Sequence, residues 1–192
     1  MATMRGLIAL SVMAASAVAP AAPATYKIDP DHTYPSFEAD HMGLSTFRGK
    51  FNKAAGRVVI DRSAATGSVE VAVDLASIDF GHDELNQWAT SAEFFDVAKH
   101  PQAIYKGRLE GFSKGVPTRV AGELTLHGVT RPVPLRIDAF RCKPHPVYKR
   151  EVCGADAQGS FQRDLFGLDS GKDYGFGMDV NLRIQIEAIQ AE

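Results

Sequence analysis

Long apolar runs are the first thing the 192-residue sequence lacks. The longest, Gly6 to Val18, falls short of the ~20 residues a membrane-spanning helix requires, so no stable membrane insertion is expected. Neither sign of charge dominates. Twenty-one Lys and Arg stand against 23 Asp and Glu, scattered along the chain. Phosphate backbones are bound by a concentrated basic face, so nucleic acid is not an expected partner. Cysteine is scarce, with Cys142 and Cys153 alone, and no C-x-x-C pair occurs. Catalytic fingerprints are missing too. There is no G-x-S-x-G elbow, no G-x-x-x-x-G-K-[ST] loop and no H-E-x-x-H pair, and Gly175-Phe176-Gly177 lacks the third glycine of a dinucleotide site. The six histidines, His32, His41, His82, His100, His127 and His145, fall on different predicted elements without short ligand spacing. No metal site is therefore expected, and no catalytic residue is assigned.

What is present begins with a leader. Arg5 precedes the apolar run, and the segment closes on Ala22-Pro23-Ala24, the layout of a secretory signal peptide. A cut after Ala19 or Ala22 would leave proline first on the mature chain, so the expected site is Ala24/Thr25. This divides the chain into a leader, 1–24, and a mature part, 25–192, of a size for one domain, and it places the protein in the periplasm. In an oxidising compartment two cysteines argue for a disulfide. A Cys142–Cys153 bridge would close a short loop worth ~3 kcal/mol on the chain-entropy account.

Strand periodicity dominates the mature part. Val180, Leu182, Ile184, Ile186 and Ala188 alternate with Asn181, Arg183, Gln185 and Glu187, which sets one face in an apolar interior and the other in water. The same alternation runs through 69–75, 120–126 and 133–139, the last two joined by turn residues 126–132 as a predicted hairpin. Weaker strands are expected at 34–41, 46–60, 103–112 and 154–163. Only 81–99 reads as helical, with Leu85, Trp88, Ala89, Ala92 and Phe95 at three-to-four spacing and Asp83 as a cap. An all-β chain with one helical insertion is a barrel or a sandwich. Glycines within strand-like runs, Gly49, Gly56, Gly107, Gly111, Gly122 and Gly159, singly mark bends; together they would leave room for a guest.

Five segments, in order, carry a resemblance. They are Tyr26 to Phe51 with its His32, His41 and Arg48; Ser77-Ile-Asp79-Phe-Gly-His82; Ser91 to Val97 followed by His100-Pro101; Gly122 to Val133; and Cys153-Gly-Ala-Asp156 leading to Phe161-Gln-Arg163-Asp164-Leu-Phe-Gly167. Together they make the chain similar to the YceI-like family over essentially all of its mature length. That resemblance implies an all-β fold, an antiparallel eight-stranded lipocalin-like β-barrel, exported to the periplasm and holding a polyisoprenoid quinone, a prenyl phosphate or a related amphiphile. The cysteine pair is similar to that of one subgroup. His32, His41, Arg48, Asp79, His82 and Arg163 match the family pattern and are candidates for the polar barrel mouth. Phe37, Phe47, Phe51, Ile78, Leu85, Trp88, Phe94, Phe95, Leu124 and Phe166 are candidates for the lining of the bore.

The expected function is binding, transport or storage of an isoprenoid lipid, with that lipid as partner and no cofactor; a homodimer is compatible with the sequence. An enzyme using the histidines and Asp79 as acid and base, or a ligand-free stress-protective protein, are the competing readings. Export gives the first testable expectation. Intact-mass analysis of the exported protein should read a chain beginning at Thr25, and a soluble exported protein that retains residues 1–24 would overturn the leader assignment.

Overall fold

A computed structural model of the chain describes residues 22–192. The expected leader therefore lies outside the described residues except for its last three. Twelve strands, all paired antiparallel, account for just over half of the described residues: β1 (Ala24–Ile28), β2 (Tyr34–His41), β3 (Ser45–Phe51), β4 (Ala54–Asp61), β5 (Thr66–Asp74), β6 (Ile78–Asp79), β7 (Gln102–Glu110), β8 (Arg119–Leu126), β9 (Val129–Pro132), β10 (Leu135–Pro144), β11 (Glu151–Gln162) and β12 (Asp179–Gln190).

Several of these are halves of one longer course. β12 pairs with β2 from Val180 to Gln185 and with β1 from Ala188 to Gln190, so β1 and β2 form one edge interrupted at 29–33. β3 and β4 are likewise one course broken at Asn52-Lys53, because the N–H groups of both residues are taken by Ser77. The expected single strand 46–60 is corrected accordingly. β5 and β6 are separated by the 3-10 turn Leu75–Ser77, where Asp74 caps Ala76 N–H. Counted by course, eight strands close into a ring, β12 pairing with β11 on one side and β1 on the other.

The predicted hairpin is also redrawn. β8 turns at His127-Gly128, both with positive φ, which is the backbone of a type I′ turn. Its hairpin partner is therefore β9, and β10 meets β8 only at Val120 and Arg119. The helix α1 is shorter than expected, Asp83–Thr90 instead of 81–99, and its cap is His82, whose Nδ1 accepts from Leu85 N–H. Ser91 ends it, since both its N–H and its hydroxyl are taken by Trp88 O. The apolar spacing persists to Phe95 because the following turns fold back, Phe95 N–H donating to Ala89 O.

Inside the barrel the apolar side chains form two packed groups. One, at the end that holds the β4–β5 and β10–β11 connections, includes Tyr26, Ile28, Ile60, Leu109, Cys153 and Ala188; the other lies under α1 and includes Leu75, Ile78, Ala89, Phe95, Val133 and Phe166. Between them the inward residues stay half-buried. Along β12, Val180 and Ala188 are buried whereas Leu182, Ile184 and Ile186 are not, although all five share the inner face.

The inward glycines do not create that free space. A Cβ on Gly122 would fall 2.2 Å from the Tyr105 hydroxyl, because the Tyr105 ring lies across the glycine and donates to Val133 O at 2.9 Å. Gly49 is covered in the same way by Phe37. The room at these two positions is thus taken by neighbouring aromatics, while Gly107 is met by Val120 and Gly159 by Pro134 and Leu135. Overpacking of this kind costs about 1–3 kcal/mol. Gly122→Ala should therefore lower stability in urea denaturation by about that much. Gly154→Ala, where a Cβ would meet only ordinary contacts from 3.7 Å, should stay within about 0.5 kcal/mol.

Candidate functional site

A cavity of about 620 Å³ runs down the middle of the barrel, within the range of small-molecule sites. The eight rises from Val180 to Ala188 span about 27 Å of strand, and the usual barrel tilt reduces this to about 20 Å of depth. The wall is almost wholly apolar, with Val58, Val69, Val73, Ile137, Phe140 and Ile184 among its middle residues. The few polar groups deep inside are already satisfied. Thr33 exchanges hydrogen bonds with the Glu187 backbone, and the Tyr105 hydroxyl is pushed up in pKa by burial. A guest in this region needs no polar partner and finds none free.

One end is shut. Tyr26, 1% exposed, reaches across to donate to Glu151, which also receives Arg62 Nη2 at 2.9 Å. Burial opposes the charge on Glu151, but the hydrogen bonds from Tyr26 and Arg62 outweigh it and hold the carboxyl below its ordinary pKa. The same Arg62 nitrogen lies 3.1 Å from Cys142 Sγ. Cys142 and Cys153 face each other across β10 and β11 and form the expected disulfide, which lies under the wall at this end.

The other end is framed by the β2–β3 hairpin, α1 and the loop 168–177. Arg163, 8% exposed, organises that loop: Nη1 donates to Leu168 O at 2.7 Å and Nη2 to Ser170 O at 2.9 Å, with Gly177 O at 3.4 Å. Its guanidinium sits 5.8 Å from the centre of the Phe94 ring. Burial lowers its pKa, and no carboxylate lies within ion-pair distance among the described residues. Asp40 joins the loop to the hairpin by accepting from Gly43 and Gly177 N–H, which holds its carboxyl below the usual range. The His41 ring stacks on Phe47 at 4.2 Å and meets Phe176 edge-on at 5.0 Å.

Of the residues read from the sequence, Phe37, His41, Phe47, Phe51, Ile78, Leu85, Trp88, Phe94, Phe95, Leu124 and Arg163 lie in the cavity wall. Five do not, and their expected contact with the bore is corrected. His32 bonds Asp29 in the β1–β2 connection, an interaction that raises its pKa. Arg48 points outward to Glu38 at 3.1 Å. Asp79 accepts from Gly81 N–H and Asn52, which keep its pKa low. His82 caps α1, and Phe166 is buried behind the wall against Phe161. Sequence reasoning missed Asp40, Tyr174 and Phe176 at the mouth and the inward aliphatics of β4, β5 and β12 in the wall. The alternation of those strands was a usable signal for the wall; nothing comparable marked the loop.

A closed antiparallel barrel with an apolar cavity shut at one end defines a β-barrel of the internal-site class. Within that class the chain belongs to the YceI-like domain family, whose description matches residues 26–188. Protein YceI of Escherichia coli O6:H1 is 31% identical over 194 residues, which cover 98% of this chain and 97% of that one. Among solved structures, BcnA of Burkholderia cenocepacia superposes with a TM-score of 0.67 at 21% identity, covering 84% of this chain and 99% of that one. A polyisoprenoid binding domain from Saccharophagus degradans, implicated in plant cell wall breakdown, gives 0.64 at 17% identity, with 86% and 98% covered. These likenesses bear on the fold.

Arg163 supplies the prediction for this site. Removing it strands the Leu168, Ser170 and Gly177 carbonyls, and a buried unpaired polar group costs about 1–3 kcal/mol. Arg163→Leu should lower stability by about 3 kcal/mol in chemical denaturation. Arg163→Lys, which keeps the charge but not the planar fork, should recover only part of it.

Proposed function

We propose that the protein is a periplasmic carrier or reservoir for a polyisoprenoid amphiphile, a quinone or a prenyl phosphate, and that it binds this molecule without transforming it. The observation that carries the proposal is the bore, apolar along its depth, shut at the Tyr26–Glu151–Arg62 end and open at the other. Family membership supports it, as does the polyisoprenoid-binding description of the Saccharophagus degradans domain. The leader-like segment and the disulfide support an exported protein. No helix among the described residues is long and apolar enough to cross a membrane.

In this reading the tail lies against Phe37, Phe51, Trp88 and Phe95 and the aliphatics of β12, while the head remains at His41 and Arg163. Arg48, which faces away from the bore, has no part in head recognition. A guanidinium retains donors beyond its carbonyl bonds, and these suit a phosphate better than a neutral quinone carbonyl. Burying one isoprene unit yields about 3–4 kcal/mol gross at ~0.8 kcal/mol per carbon group, much of it offset by ordering a flexible chain. The tail therefore supplies most of the affinity, and selection is by length and shape.

Mass spectrometry of an organic extract of natively purified protein should show one isoprenoid per chain. In a ligand series, removing one isoprene unit should weaken binding about tenfold or more, since ~1.4 kcal/mol of net loss suffices. Ile184→Trp, which fills the middle of the bore, should favour shorter ligands over longer ones. No stoichiometric lipid in the extract, together with no binding of either class in vitro, would sink the proposal.

A further inference from the structure

The open end carries an apolar surface that the bore itself does not need. Leu44 is 79% exposed, Tyr174 77%, Met42 46% and Phe47 36%. Met42 and Leu44 form the tip of the β2–β3 hairpin, beyond the last strand pair, His41 with Ser45. Tyr174 sits in the neighbouring loop, the connection from β11 to β12. The two are one unit, because Asp40 accepts N–H groups from Gly43 of the tip and Gly177 of the loop, and His41 contacts both Phe47 and Phe176. Phe47 and Tyr174 also belong to the cavity wall. Phe47 and Tyr174 thus join the exposed apolar surface of the rim to the wall of the bore.

The opposite end offers a contrast. Val147 and Tyr148 are exposed there too, but Tyr148 stacks on His145 at 4.3 Å, and the Tyr26–Glu151–Arg62 group and the disulfide separate that hairpin from the cavity. At the rim Arg48 pairs with Glu38 and Lys172 with Asp164, whereas Asp169 and Asp173 beside Tyr174 have no ion-pair partner among the described residues. The charge left over there is acidic, which disfavours an anionic partner and leaves a zwitterionic surface acceptable. An apolar tip and a tyrosine, whose ring and hydroxyl suit the boundary between lipid and water, match a bilayer surface. Three or four such residues give shallow, reversible association, which a carrier that must leave again requires.

We propose that the open end docks on the surface of a lipid bilayer, with Met42, Leu44 and Tyr174 entering the interface, so that the guest passes between bilayer and bore without crossing water. This rests on the carrier reading above.

The test uses the whole mature protein and vesicles of zwitterionic phosphatidylcholine, with binding read by flotation. Wild type should float with the vesicles, and high salt should change its partition by less than about twofold, because the contact is not ionic. Met42→Asp with Leu44→Asp should lower the partition about tenfold or more, through the loss of two buried apolar groups and the cost of inserting charge. Tyr174→Ser should lower it less. A parallel measurement follows a water-dispersible quinone with a short isoprenoid tail. The protein has a single tryptophan, Trp88, in the cavity wall, so its fluorescence reports occupancy, and the tip variants should bind this probe as wild type does. Wild type that fails to float, or tip variants that float equally well, would overturn docking. Vesicle binding without any response of Trp88 to the quinone would count against the carrier reading and leave docking standing.

Discussion

The pairing of β12 with strands on both its flanks is what the rest of the molecule depends on. A protein whose middle is left open cannot draw its rigidity there from side-chain packing, because an inward residue with no neighbour opposite loses its dispersion contacts. The backbone ring must supply it. β12 holds β11 along its length, β2 over its first half and β1 over its last residues, so the ring closes on one strand. A closed ring has no edge to fray or to recruit a stray strand. The interrupted courses leave this intact: the register shifts at the break, with Ile28 opposite Ala188 but Tyr34 opposite Gln185, yet both halves pair with the same neighbouring strand.

Within that ring the interior is divided by depth. Side chains fill the shut end and the space under α1, and the two packed groups hold between them a section in which Leu182, Ile184 and Ile186 line free volume. The polar residues follow the same division. Those inside are satisfied by protein atoms, whereas Arg163 and Asp40 at the open end use their hydrogen bonds to fix the loop that shapes the entrance. Close packing and free volume therefore occupy different heights of one barrel. This explains why an almost featureless wall can coexist with an ordered mouth.

How much of this was legible in the sequence depended on whether the signal was periodic. Alternation along β12 showed an apolar face and a wet face because each neighbour pair differs in polarity. It could not show that the interior is hollow, since a filled barrel has the same pattern. Parity also held information that the residue-by-residue reading passed over. Phe47, Gly49 and Phe51 share one face of β3, so Arg48 had to face outward, and the same argument separates Ile78 from Asp79 on β6. Arg163 was found by family likeness alone. Its three carbonyl partners come from a loop folded back on it, which no local pattern encodes. The helix was seen but overextended, because the turns after Ser91 keep the apolar spacing of a helix without its hydrogen bonds.

The shut end has a consequence of its own. With Tyr26, Glu151 and Arg62 across the base, a chain that slides in stops at a fixed depth, and whatever exceeds that depth remains outside. On the carrier reading the barrel is then a gauge as well as a container. A tail that is too short leaves void at the bottom, one that is too long holds its head clear of Arg163, and only a matching length places both ends at once. The floor of the cavity, far from any group that could recognise chemistry, would in this way decide which homologue in a mixed pool is retained.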